Sequence, residues 1–118
     1  MALSAAGRRG ELVTIAIGGD YGKPRPALVV QSDAFIDLPS VTVLRITGEL
    51  HEWPLLRITV TPSATNGLRK PSQIMIDKAT TVPRAKLGPR IGRLEEDTLR
   101  SVEHALQAFL GLEGAAAT

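Results

Sequence analysis

Gly22-Lys23-Pro24-Arg25-Pro26-Ala27-Leu28-Val29-Val30-Gln31 is the stretch on which the reading of this chain turns. Its apolar run, rich in β-branched residues and bounded by proline, predicts a strand over 26–31. The prolines also stiffen the mouth of that strand. Each holds its own φ near one value and pushes the preceding residue toward extended geometry, so Lys23 and Arg25 enter the strand with little backbone freedom. A cation on such a mount is well placed to meet a phosphate; the plainer reading is an edge strand that opens with prolines and carries a solvated arginine.

Working outward, Glu11-Leu12-Val13-Thr14-Ile15-Ala16-Ile17 reads as a strand before it, with Gly18-Gly19-Asp20-Tyr21-Gly22 as the turn between them. Three further strands are predicted at Val41 to Ile46, Leu55 to Val60 and Gln73 to Ile76, separated by Gly48, Pro54, Pro62, Asn66-Gly67 and Pro71. Short strands at this spacing suggest a small barrel. The pattern changes after Gly92: Leu99, Val102, Leu106, Phe109 and Leu110 recur at helical intervals, Glu95-Glu96-Asp97 fill the first turn, and Gly111 offers a stop. The chain is therefore mainly β with a C-terminal amphipathic helix. Its stripe is expected to pack on the barrel rather than on a membrane, because the helix charge is mostly acidic.

A chain of 118 residues makes one domain with a single core. With 43% hydrophobic residues but only 3% aromatics, that core must be built from Val, Ile, Leu and Ala. The absence of cysteine excludes disulfides, thiolate metal sites and cysteine nucleophiles, and fits a reducing cytoplasm. The N-terminus lacks the pattern of a signal peptide and no segment reaches the length of a membrane span, so a soluble, cytoplasmic protein is expected. Net charge is only +2, yet Lys78, Arg84, Lys86, Arg90 and Arg93 follow Asp77 before the next acid. That run suits a polyanion, or serves as a solvated face. His51 and His104 have no companion ligands at metal spacing, and neither a phosphate-binding glycine loop nor a Gly-x-Ser-x-Gly elbow occurs.

The segments Arg9-Gly10-Glu11-Leu12-Val13, Arg25 to Phe35, Val43-Leu44-Arg45-Ile46-Thr47, Asp77-Lys78-Ala79-Thr80-Thr81-Val82, Leu87-Gly88 and Ile91-Gly92-Arg93-Leu94 follow one another as in the MazF/PemK family of toxin endoribonucleases, which the chain resembles over residues 9–112. Residues 1–8 and 113–118 are then small-residue tails expected to be mobile. The resemblance implies an SH3-like β-barrel of the MazF/PemK/CcdB type. It also implies a homodimer that cuts single-stranded RNA without a metal or other cofactor, and a small, acidic, partly disordered antitoxin as partner.

Metal-free RNA cleavage needs three things: the neighbouring 2′-hydroxyl must lose its proton, the phosphoryl oxygens must be stabilised, and the 5′-oxygen must gain a proton. Arg25 matches the arginine of the family's strand-opening motif, and a guanidinium grips phosphoryl oxygens bidentately without being lost to deprotonation. Thr47 matches the threonine the family sets opposite that arginine; read alone, it is a β-branched residue ending a strand before Gly48. Asp77 matches an acid that some members use near the scissile phosphate, where a carboxylate can accept the 2′-hydroxyl proton, although Met75 stands where those members have arginine; it also suits a turn cap or a pair with Lys78. Lys23, Gln31, Lys86, Arg90 and Arg93 are expected RNA contacts. Tyr21, in a loop shorter than in many members, is either a stacking platform for an unpaired base or an exposed turn residue. His51 can serve as an acid near neutral pH or stand as a surface loop residue, and Trp53 either anchors a partner or plugs the barrel end.

A second resemblance is to the CcdB toxins, which share the fold and poison DNA gyrase by binding alone. Those depend on a tryptophan at the end of the terminal helix. Here the helix ends Ala108-Phe109-Leu110-Gly111-Leu112 and the single tryptophan is Trp53, which favours the nuclease over the gyrase poison. An inactive SH3-like RNA-binding module would keep the basic run and dispense with Thr47.

Overall fold

The computed structural model describes residues 7–16 and 23–112. Within them lie strands β1 (Glu11–Ile15), β2 (Arg25–Val29), β3 (Ser40–Thr47), β4 (Arg57–Val60), β5 (Ser72–Pro83) and β6 (Leu87–Arg93), and helix α1 (Glu96–Leu110). Two single-turn 3₁₀ segments, Asp33–Phe35 and Arg84–Lys86, join β2 to β3 and β5 to β6. All strand pairs are antiparallel, in the order β4-β5-β3-β2-β1-β6. The predicted turn 18–22, with Tyr21, residues 1–6 of the predicted N-terminal tail and all of the predicted C-terminal tail 113–118 lie outside the described residues.

The central strands read as continuous apolar runs because both of their faces are buried. Leu12, Leu28 and Leu44 point to one side, where Ile74, Ile76 and Leu94 join them and Leu99 and Val102 of α1 cover them. Val13, Ile15, Ala27, Val29, Val41 and Val43 point to the other, closed by Val82 near the end of β5 and Leu87 at the start of β6. Helix α1 stops where Gly111 turns left-handed at φ 70°, with Gly111 N–H bonded to Ala108 O and Leu112 N–H to Gln107 O. That double closure is the Schellman arrangement, which glycine adopts at least cost. Phe109 and Leu110 at the helix end stay exposed, so the predicted stripe packs from Leu99 and Val102 as far as Ala105 and Leu106 and not along the last turn.

Two strand expectations change. The predicted strand at 55–60 begins at Arg57, because Leu56 and Arg57 turn back to donate to Trp53 O. The strand predicted at 73–76 runs on to Pro83, and β6 follows it across the basic segment. Neither showed an apolar alternation: residues 78–81 are mostly exposed, and β6 carries Gly88, Pro89 and Gly92. Proline is tolerated there because, among the described residues, β6 is an edge strand that pairs with β1 alone.

The sheet is open: among the described residues no pairing joins β4 to β6, so strand pairing does not close the expected barrel. Instead it bends. Two steps along β3, from Leu44 to Ile46, correspond to five along β5, from Ala79 to Ile74, and such a bulge sharpens bend and twist. The loop after β4 then crosses to β6, where Arg93 N–H donates to Thr65 O at 2.9 Å. Its backbone lies so close that a Cβ on Gly92 would sit 2.5 Å from Asn66 O, so only glycine fits there.

Candidate active site

Arg25 opens β2 and Thr47 closes β3. The β2–β3 register sets Ala27 opposite Arg45 and Val29 opposite Val43, and the same register carried two residues further sets Arg25 opposite Thr47. Alternation along a strand keeps residues 25, 27 and 29, and 43, 45 and 47, on one side of the sheet, the side away from α1. The two residues line one cleft of about 340 Å³, with Arg45, Lys70, Ser72 and Met75 around them. Thr47 Oγ1 accepts the Glu49 N–H at 3.0 Å, which holds the side chain in place and leaves its own proton to be donated.

Lys70 is the cleft residue that reading the sequence did not single out. Its side chain lies across Gly48, where a Cβ would come within 2.6 Å of Cε and 2.8 Å of Nζ. Its carbonyl accepts from the buried Ser72 hydroxyl at 2.9 Å. The available signal was the Arg69-Lys70 pair just before β5, whose first residues stand opposite Thr47.

Asp77 lies away from this cleft. It sits in the β5 bulge and accepts a 2.5 Å ion pair from Arg57 Nη1, whose side chain is 6% exposed. Burial pushes the Asp77 carboxyl up, but the hydrogen bond and charge of Arg57, a backbone hydrogen bond and the Lys78 charge together hold it below its ordinary value. Such a carboxylate is a weak proton acceptor. Met75, two residues earlier, lines the Arg25–Thr47 cleft in its place.

The loop after Thr47 is held by Gln73, which is buried on β5 opposite both Thr47 and Thr59. Gln73 accepts from His51 N–H at 2.9 Å and donates to His51 O and Thr59 Oγ1 at 3.0 Å each. His51 stacks on Trp53 with ring centroids 4.3 Å apart, and the Arg57 guanidinium lies 5.0 Å from the Trp53 ring centroid. Trp53 is 49% exposed and belongs to this surface stack rather than to a plug at the sheet's end. His51 lines the neighbouring groove, with Arg57 and Gln73, not the Arg25–Thr47 cleft.

The other expected RNA contacts are dispersed. Lys23 is exposed just before Arg25. Gln31 works on the backbone, accepting from Thr42 N–H and donating to Phe35 O and Ser40 O. Arg90 pairs with Glu11 at 3.4 Å, while Arg93 donates to Arg9 O at 3.2 Å and pairs with Glu96. Lys86 is exposed in the 3₁₀ turn before β6. None of these last three lines the cleft. Among the described residues no three His, Asp or Glu side chains gather as a metal cage, and no helix is long and apolar enough to cross a membrane.

An antiparallel sheet backed by one C-terminal helix, with a cationic cleft at the meeting ends of β2 and β3, is the framework of a class of small toxins. The profile of the PemK-like, MazF-like toxins of type II toxin–antitoxin systems matches residues 8–110, and the chain belongs to that family. It is similar to the probable endoribonuclease MazF of Mycolicibacterium smegmatis, 47% identical over 108 residues that cover 91% of this chain and 99% of that one. Endoribonuclease EndoA of Bacillus subtilis is 27% identical over 97 residues, covering 81% and 84% of the two chains. Among solved structures, the Mycobacterium tuberculosis toxin MazF-mt6 superposes with a TM-score of 0.74 at 26% identity, over 87% of this chain and 98% of that one. A mycobacterial endoribonuclease in complex with its cognate antitoxin shares the fold at 23% identity, with a TM-score of 0.74 over 91% and 97%.

Proposed function

We propose that this chain is the toxin of a type II toxin–antitoxin pair and cleaves single-stranded RNA at a short sequence, with Arg25 and Thr47 as its catalytic residues. The observation that carries this reading is the strand register that sets Arg25 across from Thr47 in one cleft. The 2′-oxygen attacks the adjacent phosphorus as its proton departs. The P–O5′ bond then breaks, the 5′-oxygen takes a proton, and the products are a 2′,3′-cyclic phosphate and a 5′-hydroxyl. Arg25 stabilises the charge that builds on the phosphoryl oxygens, and Thr47 donates to one of them or orients the 2′-hydroxyl. The nucleophile comes from the RNA itself, so no step calls for a metal. Asp77 acts at one remove, holding Arg57 and with it the bend of β5 beside the cleft. Lys23, Lys86 and Arg90 extend the cationic surface along which the strand runs.

We read the open sheet as an SH3-like barrel whose gap is bridged by the loop between β4 and β5 rather than by a ladder. The Thr65–Arg93 backbone bond and the close approach at Gly92 support this. The working form is a homodimer, which the exposed Phe35, Leu38, Phe109 and Leu110 favour. Sedimentation at micromolar concentration tests it, a monomer being the contrary result. The partner is an acidic, partly disordered antitoxin, supported by the neighbours solved as toxin–antitoxin complexes.

The deciding experiment is Arg25→Ala with RNA cleavage and circular dichroism read side by side. Loss of one preorganised charge stabiliser lowers the rate by about 10²–10³, and the exposed position predicts an unchanged fold. Cleavage at the wild-type rate would refute the site. Products ending in a 5′-phosphate would refute attack by the 2′-hydroxyl.

A further inference from the structure

Of the three cations that line the cleft, Arg25, Arg45 and Lys70, two are mounted alike. Arg25 precedes Pro26 and Lys70 precedes Pro71, and a residue before proline is confined to extended geometry. The Ser72 hydroxyl fixes the Lys70 carbonyl from the far side, and the aliphatic stem of Lys70 lies along Gly48. Lys70 is thus exposed at its tip but restrained at its base. It also stands at a junction. A second cleft of about 730 Å³ shares Pro26, Lys70 and Ser72 with the first and continues past Arg69 to walls of Pro24, Leu68 and Ile91. The floor is largely apolar and the rim carries two cations, with the Thr14 hydroxyl as a further polar group. That division matches a nucleotide: the flat base lies against aliphatic and proline surface, and the phosphate meets the ammonium at the rim.

We infer that the Lys70 cleft is a nucleotide subsite that holds the phosphate next to the scissile one, with Lys70 as its phosphate-binding residue and Arg69 in support. This rests on the RNA-cleaving reading above. Gly48 is part of the device. A Cβ at 48 would displace the ammonium without removing its charge, and the flexible lysine can yield, so the substitution moves Lys70 rather than the fold.

The test uses the full chain and an RNA bearing its cleavage sequence, with one phosphate at a time replaced by a neutral methylphosphonate. In wild-type protein the neutral linkage at one of the two positions flanking the cut should raise KM about tenfold to a hundredfold, the range for a hydrogen bond to a charged group. Lys70→Ala should show the same loss with all-phosphate RNA and no further loss with that modified RNA, because the two changes remove one contact. The slope of log affinity against log salt should fall by about 0.7 in Lys70→Ala, the value for one phosphate on a single strand. Lys70→Arg should restore the slope, and Gly48→Ala should weaken binding while Lys70 remains present. Additive losses at every position, or an unchanged salt slope, would overturn the subsite. Arg25→Ala in the same assay separates the two claims: if it abolishes cleavage while Lys70→Ala changes nothing, only the subsite fails.

Discussion

Asn66→Ala should destabilise this protein by about 3 kcal/mol, and the figure follows from counting what the side chain satisfies. Asn66 is fully buried in the loop that bridges β4 and β6. Its Oδ1 accepts the N–H groups of Ser63 and Leu68, each at 3.0 Å, and its Nδ2 donates to Thr61 O at 2.9 Å and to the Glu95 carboxylate at 3.3 Å. Truncation leaves two N–H donors and one carbonyl without partners, and each such buried group costs about 1–3 kcal/mol. Water entering the vacated space recovers part of this, so the lower end is the fair estimate for three groups. Against a total of roughly 5–15 kcal/mol the fold survives, with a large shift of the urea midpoint. Asn66→Asp adds a pH-dependent control. Glu95 lies below its ordinary value of 4.5, chiefly through the Ser63 hydroxyl, with burial opposing and Asn66 helping. A carboxyl lowered in the folded state stabilises fully above its unfolded value and loses that contribution as pH falls through the folded one. Wild type should therefore weaken as pH falls below that ordinary value of 4.5. Asn66→Asp sets a second carboxylate beside Glu95, so its deficit should be large at neutral pH and shrink on acidification, as a shared proton restores a donor. Urea titrations at a series of pH values read both effects. A deficit under about 1 kcal/mol for Asn66→Ala, or an Asn66→Asp deficit that does not change with pH, would refute the reasoning.

Thr47→Ser should keep most RNA cleavage and Thr47→Val should lose it, since the hydroxyl rather than the shape is invoked; equal rates for the two in a gel assay would remove Thr47 from the site. Asp77→Asn should cost about 2 kcal/mol in urea unfolding, less than a fully buried pair because the carboxylate side chain is 24% exposed. Asp77 is depressed in the folded state, so in wild type this contribution should disappear only as pH falls below its ordinary value of 3.8. Cleavage should persist in excess EDTA; abolition, with recovery on adding one divalent ion, would overturn the mechanism.

Those parts of the fold were legible that leave a period in the sequence. β1 to β3 show as apolar runs because both faces are buried, and α1 shows because acids open it and Gly111 ends it. The second half of β5 and all of β6 leave no such trace. Their residues are exposed or half-buried in no regular alternation, with Gly88, Pro89 and Gly92 among them, and they become strands because β3 and β1 offer edges with free hydrogen-bonding groups. Secondary structure dictated by a neighbour's edge is a tertiary fact. Openness of the sheet was equally out of reach, since it depends on the bulge opposite Leu44 to Ile46 and on one loop's approach to Gly92.

The same division runs through the site. Arg25 carries a mark of its own in the flanking prolines, whereas Thr47 stood out only through the family pattern, since read alone it is a β-branched residue ending a strand before Gly48. Asp77 matched a family pattern, yet the bulge carries it away to Arg57. Lys70 and Gln73 left no local mark, because each acts across strands: one over Gly48 into the cleft, the other under the loop that follows Thr47. A three-residue change in β5 register between Leu44 and Ile46 therefore does two jobs. It takes the carboxylate out of the cleft, and it brings the head of β5, with Lys70 just before it, against the end of β3. Among the described residues the cleft is left with cations, the Thr47 and Ser72 hydroxyls and Met75, and no acid but Glu49 at its rim. A site so composed stabilises a phosphoryl charge well and takes a proton poorly. The base for the 2′-hydroxyl is then solvent, Glu49, or a group outside the described residues, and the pH–rate profile of Glu49→Gln tests the second: a lost or shifted acidic limb supports Glu49, and an unchanged one removes it.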